Sequence, residues 1–591
     1  MSAVAALAAC ATPSPKPADS MAWAGGRVWY QIFPERFRNG DPANDPTAAD
    51  VPESNGRADW RVSPWTSDWY ELQPWEVKRS TEFYNDGVVF ARRYGGDLKG
   101  VIDKLDYLKD LGVEVIYLNP VFESPSLHKY DASSCHHVDA HFGPDPEGGK
   151  KLLAGARETE DPSTWVWTKA DAEFLRLIKE AHGRGIKVVI DGVFNHTGRG
   201  FFAFQDILKN GPRSRYADWY MVNKWGSKPG EEFDYKAWWG FKSLPILARD
   251  KHGLLPGPKK YVFDITKRWL APHGDLAQGV DGFRLDVIED VPAPFWKEWN
   301  AWVKSIKPDA ITVGEIWGDA SPWVKAGRVD SSMNYPFAKA VASFFVDRKK
   351  ATSGPEFASA LRKMLASYPR RNGQMLLNLV DSHDTDRLAS MLRNPDRTFN
   401  EQASARDNPS YDVSAPDAAG KLIQKQVAAF QFAFLGAPMV YYGDEAGMWG
   451  GHDPDDRKPM VWQDLDYAPE KADPLGRART TDPVRFDADL HDFYRRLIHL
   501  RRENPALQGG DLRFLDQAIT PDMVGFSRRA GDGEALALFN RANESRTAVL
   551  PVAHAAYRDA LSGEAMAPAQ GRLRVEVPAH GFRILVSGLG T

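Results

Sequence analysis

Cysteine is almost absent. Only Cys10 and Cys135 occur in 591 residues, which excludes a disulfide framework. Long apolar runs are missing as well: none reaches the ~18 residues that a membrane span requires. Positive charge is not clustered, and the formal net charge is −4. Phosphate recognition needs a basic stripe, so nucleic acid is excluded as the expected partner. Aromatic residues, by contrast, are plentiful: 20 Trp, 19 Tyr and 30 Phe. Rings on loops pack against the C–H faces of sugars, although most aromatics in any protein are core. A hydrophobic content of 43% and a charged content of 26% are globular values, and the length implies two to four domains.

The N-terminus reads as a targeting segment. Met1 to Ala9 is small and apolar, and Leu7-Ala-Ala-Cys10 has the form of a bacterial lipobox. Thr12-Pro-Ser-Pro-Lys-Pro-Ala-Asp-Ser20 follows as a flexible tether. The segment lacks a basic n-region and its apolar part is short. Residues 1–25 are therefore expected to serve export, with Cys10 as the attachment point of a lipid anchor. That would give a periplasmic or outer-membrane lipoprotein; the alternative is a cytoplasmic protein in which residues 1–20 are not a signal.

From residue 28 onward, β-type runs alternate with amphipathic helical patterns. Val28-Trp-Tyr-Gln-Ile-Phe-Pro34 and Val113-Glu-Val-Ile-Tyr-Leu-Asn-Pro120 flank a helical face at 98, 101, 102, 105 and 108, closed by Gly112. Residues 171–183 repeat the helical pattern before a strand at 187–193. Further strands are expected near 279–287, 310–316, 331–337, 375–381 and 437–442, and a last long helix near 487–504. This rhythm predicts a parallel α/β architecture. It is interrupted over 197–262, a stretch too long for an ordinary connection and so expected to be functional. After Pro505 short alternating runs such as Arg572-Leu-Arg-Val-Glu-Val577 predict a small antiparallel β-domain at 507–591. The barrel would then occupy 26–196 and 263–506.

Four strand ends carry clusters of ionisable groups: Asp191-Gly-Val-Phe-Asn-His196, Gly282-Phe-Arg-Leu-Asp-Val287, Val313-Gly-Glu-Ile-Trp317 and Leu379-Val-Asp-Ser-His-Asp384. One Asp after a strand is usually a turn former or cap. Four in order, just past successive buried strands, are what the C-terminal face of a (β/α)8 barrel offers as an active site. These motifs resemble those of the α-amylase family of glycoside hydrolases, and the likeness runs from about Gly26 to the C-terminus. The resemblance implies a (β/α)8 barrel with a domain inserted after the third strand and a C-terminal β-sandwich. It implies Asp286 as nucleophile, Glu315 as general acid/base and Asp384 as a grip on sugar hydroxyls. Arg284 would orient Asp286 and keep it ionised, and His196 and His383 would bind hydroxyls of the same glucose. Tyr130, in His128-Lys-Tyr-Asp131, would stack on that ring.

The residue types suit the chemistry. A retaining glycosidase needs one ionised and one protonated carboxyl about 5–5.5 Å apart. Arg284 lies two residues from Asp286 and on the same strand face, so it is expected to lower the Asp286 pKa. Glu315, among Ile316 and Trp317, is expected to sit drier and to keep its proton. Asn39-Gly-Asp-Pro-Ala-Asn-Asp45 is similar to the calcium loop of neopullulanase-like members. By that resemblance Asn39, Asp41, Asn44, Asp45, Gly95 and Asp97 would supply oxygens to a structural Ca2+; the alternative is a polar turn closed by Asx bonds. Cys135-His-His137 invites a metal reading, but the triplet lacks a fourth ligand at sensible spacing and is read as structural. Gly450-Gly-His-Asp-Pro-Asp-Asp-Arg-Lys-Pro459 is expected to shape the loop behind the site, with Asp453 or Arg457 within reach of sugar.

Within the family, Tyr30-Gln-Ile-Phe-Pro-Glu-Arg-Phe37 and the calcium loop resemble the neopullulanase and cyclomaltodextrinase branch. The branch's N-terminal β-domain is not expected, because the barrel starts near residue 28. Val287-Ile-Glu-Asp290 and Ser243-Leu-Pro-Ile-Leu247 depart from that branch at positions facing the leaving-group sugars. The expected activity is retaining, endo-type hydrolysis of α-1,4 bonds in starch and maltooligosaccharides. Enzyme alternatives are a cyclomaltodextrinase or neopullulanase, and a 4-α-glucanotransferase. A non-catalytic glucan-binding protein on the same barrel is the alternative of another class, opposed by the intact Asp286, Glu315 and Asp384.

Overall fold

The computed structural model describes residues 21–587 except residues 79, 81 and 229; Cys10 and the lipobox-like segment lie outside the described residues. Eight short parallel strands form the centre: β1 (Trp29–Ile32), β2 (Val115–Leu118), β3 (Lys187–Gly192), β4 (Gly282–Leu285), β5 (Ile311–Gly314), β6 (Ser331–Ser332), β7 (Leu377–Asn378) and β8 (Ala437–Tyr441). Neighbours run β6-β5-β4-β3-β2-β1-β8-β7. A parallel bridge between Met333 and Leu377 joins the two ends and closes the sheet on itself. This is the (β/α)8 barrel expected from the strand rhythm.

Strand alternation decides what fills it. Trp29, Val115, Tyr117, Val189, Ile311, Val313, Met333, Leu377 and Met439 share one buried apolar cluster, the lining of the barrel. Tyr30, Ile32, Ile116, Leu118, Val188, Ile190, Phe283 and Leu285 belong to the much larger cluster that packs on the surrounding helices. The inward column changes character towards the strand ends, where Gln31, Asp191 and Arg284 are all buried. The barrel is therefore dry at one end and charged at the other.

The helices follow their patterns with one break. Lys169–Gly183 opens with a capping box between Thr168 and Asp171 and buries Phe174, Leu177, Ile178 and Ala181. The face that starts at Leu98 is split into Leu98–Asp103 and Leu105–Leu111, because Lys104 leaves helical geometry at φ −104° and ψ 6°. Both halves keep the same buried side. Gly112 ends the second at φ +98°, where a Cβ would lie 2.7 Å from Ile498.

The irregular stretch expected over 197–262 ends at residue 255. Pro256–Leu270 is one continuous helix across the expected boundary, started by prolines at 256 and 258 and held by buried Tyr261, Val262, Ile265 and Trp269. Before it lie a helix at Phe202–Asn210 and two short hairpins, Val222–Lys224 with Asp234–Tyr235 and Arg249–Asp250 with Gly253–Leu254. A second excursion from the barrel carries the hairpin Phe122–Glu123 and Ser134–Val138, followed by the helix Pro146–Ala156. Among the described residues no helix is long and apolar enough to cross a membrane.

Beyond the helix Ala488–Glu503, a six-stranded antiparallel sheet faces the pair Arg546–Pro551 and Arg572–Val577. Leu536, Leu538, Leu550, Leu573 and Val575 fill the space between them. Two buried arginines work through backbone carbonyls: Arg501 ties the barrel's last helix to the barrel, and Arg528 ties the sheet to it. Arg501 donates to Gly26, Phe432, Phe434 and Gly436, and Arg528 donates to Gly510 and Ala433. An orphaned buried acceptor costs about 1–3 kcal/mol. Arg501→Met, which keeps the stem but leaves four carbonyls without their donor, should lower stability by at least about 2 kcal/mol. The measurement is the urea midpoint, and an unchanged midpoint would refute the role given to Arg501.

Candidate active site

Register puts the central ion pair together. Arg284 on β4 is the direct neighbour of Asp191 on β3, and both face the barrel interior. Arg284 Nη1 donates to both oxygens of Asp191 at 2.9 Å and to Asp286 Oδ1 at 3.1 Å. Its Nη2 lies 3.0 Å from Glu315 Oε2, close enough for an ion pair but not aligned as a hydrogen bond. One planar cation thus touches three carboxylates from three successive strands. Asp191 also accepts from the hydroxyls of Tyr117 at 2.7 Å and Tyr130 at 3.0 Å.

Glu315 is anchored by donors rather than surrounded by apolar walls. Its Oε2 accepts from the Val287 amide at 2.9 Å and its Oε1 from the Trp317 indole at 3.1 Å. Trp317 stacks on Tyr335 with centroids 3.8 Å apart and ring planes at 10°. Val287, next to Asp286, has φ +37° and ψ +47°. A β-branched residue there is strained, and the strained peptide turns its N–H onto Glu315.

The expected lowering of Asp286 is not what burial allows. Asp286 is pushed well above the usual carboxylate range, chiefly by desolvation; Arg284 opposes this, and Glu315, Asp191 and Asp384 add to it. One arginine thus faces several carboxylates within a single enclosed volume.

Asp384 lies on the far side of the group. Its Oδ2 is 3.1 Å from His383 Nε2 and its Oδ1 is 3.1 Å from Arg457 Nη2. Arg457 also donates to the His383 carbonyl at 2.8 Å and pairs with Asp453 at 3.3 Å. Gln31 donates to His383 Nδ1 at 2.7 Å, which leaves Nε2 as the protonated nitrogen facing Tyr130 Oη at 2.6 Å. Burial holds His383 well below its ordinary pKa, and the Arg457 and Arg284 cations push the same way. The Tyr130 and His383 rings are parallel, 5.8 Å apart. His196 is also buried and is lowered to about 3. Asn195 donates to its Nδ1 at 3.0 Å, whereas its Nε2 has no hydrogen-bond partner. Trp238 stacks on its ring at 5.6 Å.

The structure therefore brings Asp286, Glu315, Asp384, Arg284, His383 and Tyr130 into one connected network, with His196 and its unpartnered donor under Trp238. Asp191, Gln31 and Tyr117 were not singled out from the sequence. Asp191 opens the first motif five residues before His196, which was the available signal; Gln31 and Tyr117 carry none beyond their places on inward strand positions.

The loop at 39–45 folds against 95–97. Asn39 donates to Asp45 Oδ1 at 2.8 Å. Asp97 accepts from the Gly40, Asp41 and Gly100 amides and from Asn44 Nδ2, at 2.6–3.1 Å. Four donors fill a carboxylate's capacity, and Asp41 caps Ala43, so these two acids hold the shape of the loop. The carbonyl oxygens of the Asn39 and Asn44 side chains are buried without partners. Burial raises Asp45 to about 6, against its Asn39 hydrogen bond. Gly95, at φ +74°, approaches so closely that a Cβ would lie 2.0 Å from Asp45 Oδ1. Orphaned amide oxygens around a destabilised carboxylate fit a hard cation such as Ca2+.

Comparison with known proteins gives the same direction. A family profile described as "Alpha amylase, catalytic domain" matches residues 31–160 and 168–510. The chain is 34% identical over 563 residues to a cyclomaltodextrinase of Geobacillus thermopakistaniensis (strain MAS1), covering 95% of this chain and 76% of that protein. It is 34% identical over 571 residues to neopullulanase 2 of Thermoactinomyces vulgaris, covering 96% and 78%. Among solved structures, the type III pullulan hydrolase from Thermococcus kodakarensis superposes with a TM-score of 0.71 at 29% identity, covering 96% of this chain and 82% of that one.

His196 carries a pH prediction. Its folded pKa of about 3 lies below the unfolded value of about 6.5. Between the two the unfolded state binds more protons, so the stability tied to neutral His196 is complete above ~6.5 and lost as pH falls towards ~3. The loss in melting temperature from pH 7 to pH 5 should be smaller in His196→Gln than in the parent. Equal losses would mean that His196 is not buried as a neutral ring.

Proposed function

The chain belongs to the α-amylase family of glycoside hydrolases, and on that premise we propose that it is a retaining α-glucan hydrolase of the cyclomaltodextrinase and neopullulanase kind. This reverses the emphasis of the sequence reading, which put starch first. The names of the relatives matched over most of the chain support cyclodextrins and pullulan as substrates beside maltooligosaccharides.

The observation that carries the mechanism is the single guanidinium in contact with both Asp286 and Glu315. One fork touching both favours the ~5–5.5 Å spacing of a retaining pair over the ~6.5–9.5 Å that an inverting pair leaves for water. Asp286 attacks the anomeric carbon while Glu315 gives its proton to the departing glycosidic oxygen. The C–O bond to the leaving sugar breaks as the bond to Asp286 forms. Glu315, now ionised, takes a proton from water, whose oxygen displaces Asp286 and returns the sugar with retained configuration. Arg284 stabilises the carboxylates as charge moves between them.

Asp384, held between His383 and Arg457, would accept from sugar hydroxyls beside the scissile bond. His196 Nε2 would donate to a hydroxyl of the same glucose. Tyr130 would stack on the ring. On the leaving-group side, Trp238 donates to Asp290 at 2.7 Å, and Trp239 is 82% exposed, a surface suited to sugar faces. Asp286→Asn should lower kcat at least about 10³-fold while the chain still folds. Proton NMR of the first product should show the α-anomer; the β-anomer, or an active Asp286→Asn enzyme, would overturn the assignment. Faster cleavage of soluble starch than of β-cyclodextrin and pullulan would restore the starch-first reading.

Calcium is proposed as a structural ion of the 39–45 loop, held by side-chain oxygens of Asn39, Asn44 and Asp45 and by backbone carbonyls of the adjoining turn, Gly95 included. It would neutralise the crowded carboxylates and take no part in the chemistry. A ligand that binds only the folded state stabilises it by about 2.7 kcal/mol at a hundred times its Kd. Chelation should therefore lower the melting temperature, with recovery on adding Ca2+; no shift would exclude the ion.

A further inference from the structure

The His136-His137 pair is not alone once the chain is folded. Glu158, 21 residues from His137, comes from the excursion that follows the helix Pro146–Ala156 and turns one oxygen onto both rings. Its Oε2 lies 2.8 Å from His137 Nε2 and 3.3 Å from His136 Nε2. Three donor atoms of two kinds thus converge within 4.8 Å of one another. Ligands about 2.0–2.2 Å from one tetrahedral ion sit about 3.3–3.5 Å apart, so the His136–Glu158 spacing already suits an ion and the His137–Glu158 contact would open by about half an ångström.

What lies behind the rings is a second, independent observation. His137 turns its Nδ1 to Asp171 Oδ2 at 2.8 Å, the carboxylate–histidine arrangement that orients metal-binding imidazoles. His136 turns its Nδ1 to Tyr261 Oη at 2.8 Å, with Ser134 Oγ at 3.2 Å, and its ring is clamped flat against Trp165 at 4.4 Å and 8°. The other oxygen of Glu158 is held by the Val166 amide at 2.6 Å. Each donor is therefore aimed by a partner of its own. His136 and His137 are almost fully buried, whereas the Glu158 side chain is 13% exposed, which gives an ion a way in from one side. Arg268 Nη2 lies 3.4 Å from Asp171 and the guanidinium stacks over Trp167 at 3.7 Å.

We propose that His136 Nε2, His137 Nε2 and Glu158 Oε2 bind one divalent transition-metal ion of the zinc type, with solvent at the fourth position. Two imidazoles and a carboxylate suit zinc and its neighbours, not calcium or magnesium, which take oxygen. The ion would pin the residue 144–168 excursion to the hairpin whose turn carries Tyr130. It is thus a structural clamp behind the candidate sugar site, and it does not depend on the reaction proposed for that site.

The test uses the full chain without a polyhistidine tag, stripped of metal and then titrated in saturating Ca2+ so that the 39–45 loop is not the sink. Wild type should take up one equivalent of Zn2+, and Co2+ in its place should give the visible absorption of a four-coordinate site. Glu158→Gln should weaken Zn2+ binding at least about tenfold, and Asp171→Asn, acting through His137, by about 10- to 100-fold. Because Asp171 also caps a helix, the Co2+ spectrum of the unaltered chain decides if that variant does not fold. The proposal is overturned if wild type gives no Co2+ band, or if Glu158→Gln binds as tightly as wild type. The first would mean that the two rings only share protons with Glu158; the second would put the ion elsewhere.

Discussion

The contact on which the rest depends is the buried guanidinium of Arg284. It is fully enclosed and reaches carboxylates of Asp191, Asp286 and Glu315, contributed by three neighbouring strands. Removing a buried charge's only counter-ion strands the partner in low dielectric, at about 3–5 kcal/mol. Here the imbalance runs the other way, with more acids than the one cation can neutralise. The surplus is answered by hydroxyl donors on Asp191 and by the Val287 amide and the Trp317 indole on Glu315. The same charge balance that makes this end of the barrel costly makes it chemically useful.

That cost is tolerated because the other end of the barrel is wholly apolar and the outer shell is packed with aromatics. Strain gathers at the seam. Val287 takes a left-handed conformation immediately after Asp286, and the energy held there is supplied by burial around it. His196 keeps an unpartnered nitrogen under Trp238.

The excursions from the barrel do the positioning. The 39–45 loop and Gly95 sit beside Glu35, which accepts from the Tyr94 and Gly95 amides. The hairpin at 122–138 carries Tyr130 into the cleft on one side and presents His136 and His137 to Glu158 on the other. Arg457, from the loop after β8, fixes Asp384.

Strand rhythm and motif spacing determined a great deal unaided: eight strands, their parallel order, the C-terminal antiparallel region and the residues from which the candidate site is built. These are local matters, since a period of two places Arg284 and Asp286 on one face whatever surrounds them. The break at Lys104 and the start of the helix at Pro256 were not legible, because apolar periodicity runs through the first and loop-like composition masks the second. The state of Asp286 was misjudged from its neighbour in sequence. Arg284 is near, but so are Asp191, Glu315 and Asp384, and burial outweighs the one cation. Likewise Cys135-His136-His137 lacked a further ligand along the chain, and the two imidazoles meet Glu158 only in space. Sequence reports which groups lie on which face; only the closed barrel decides how many like charges must share one enclosed volume, because desolvation and Coulomb energy depend on three-dimensional distance.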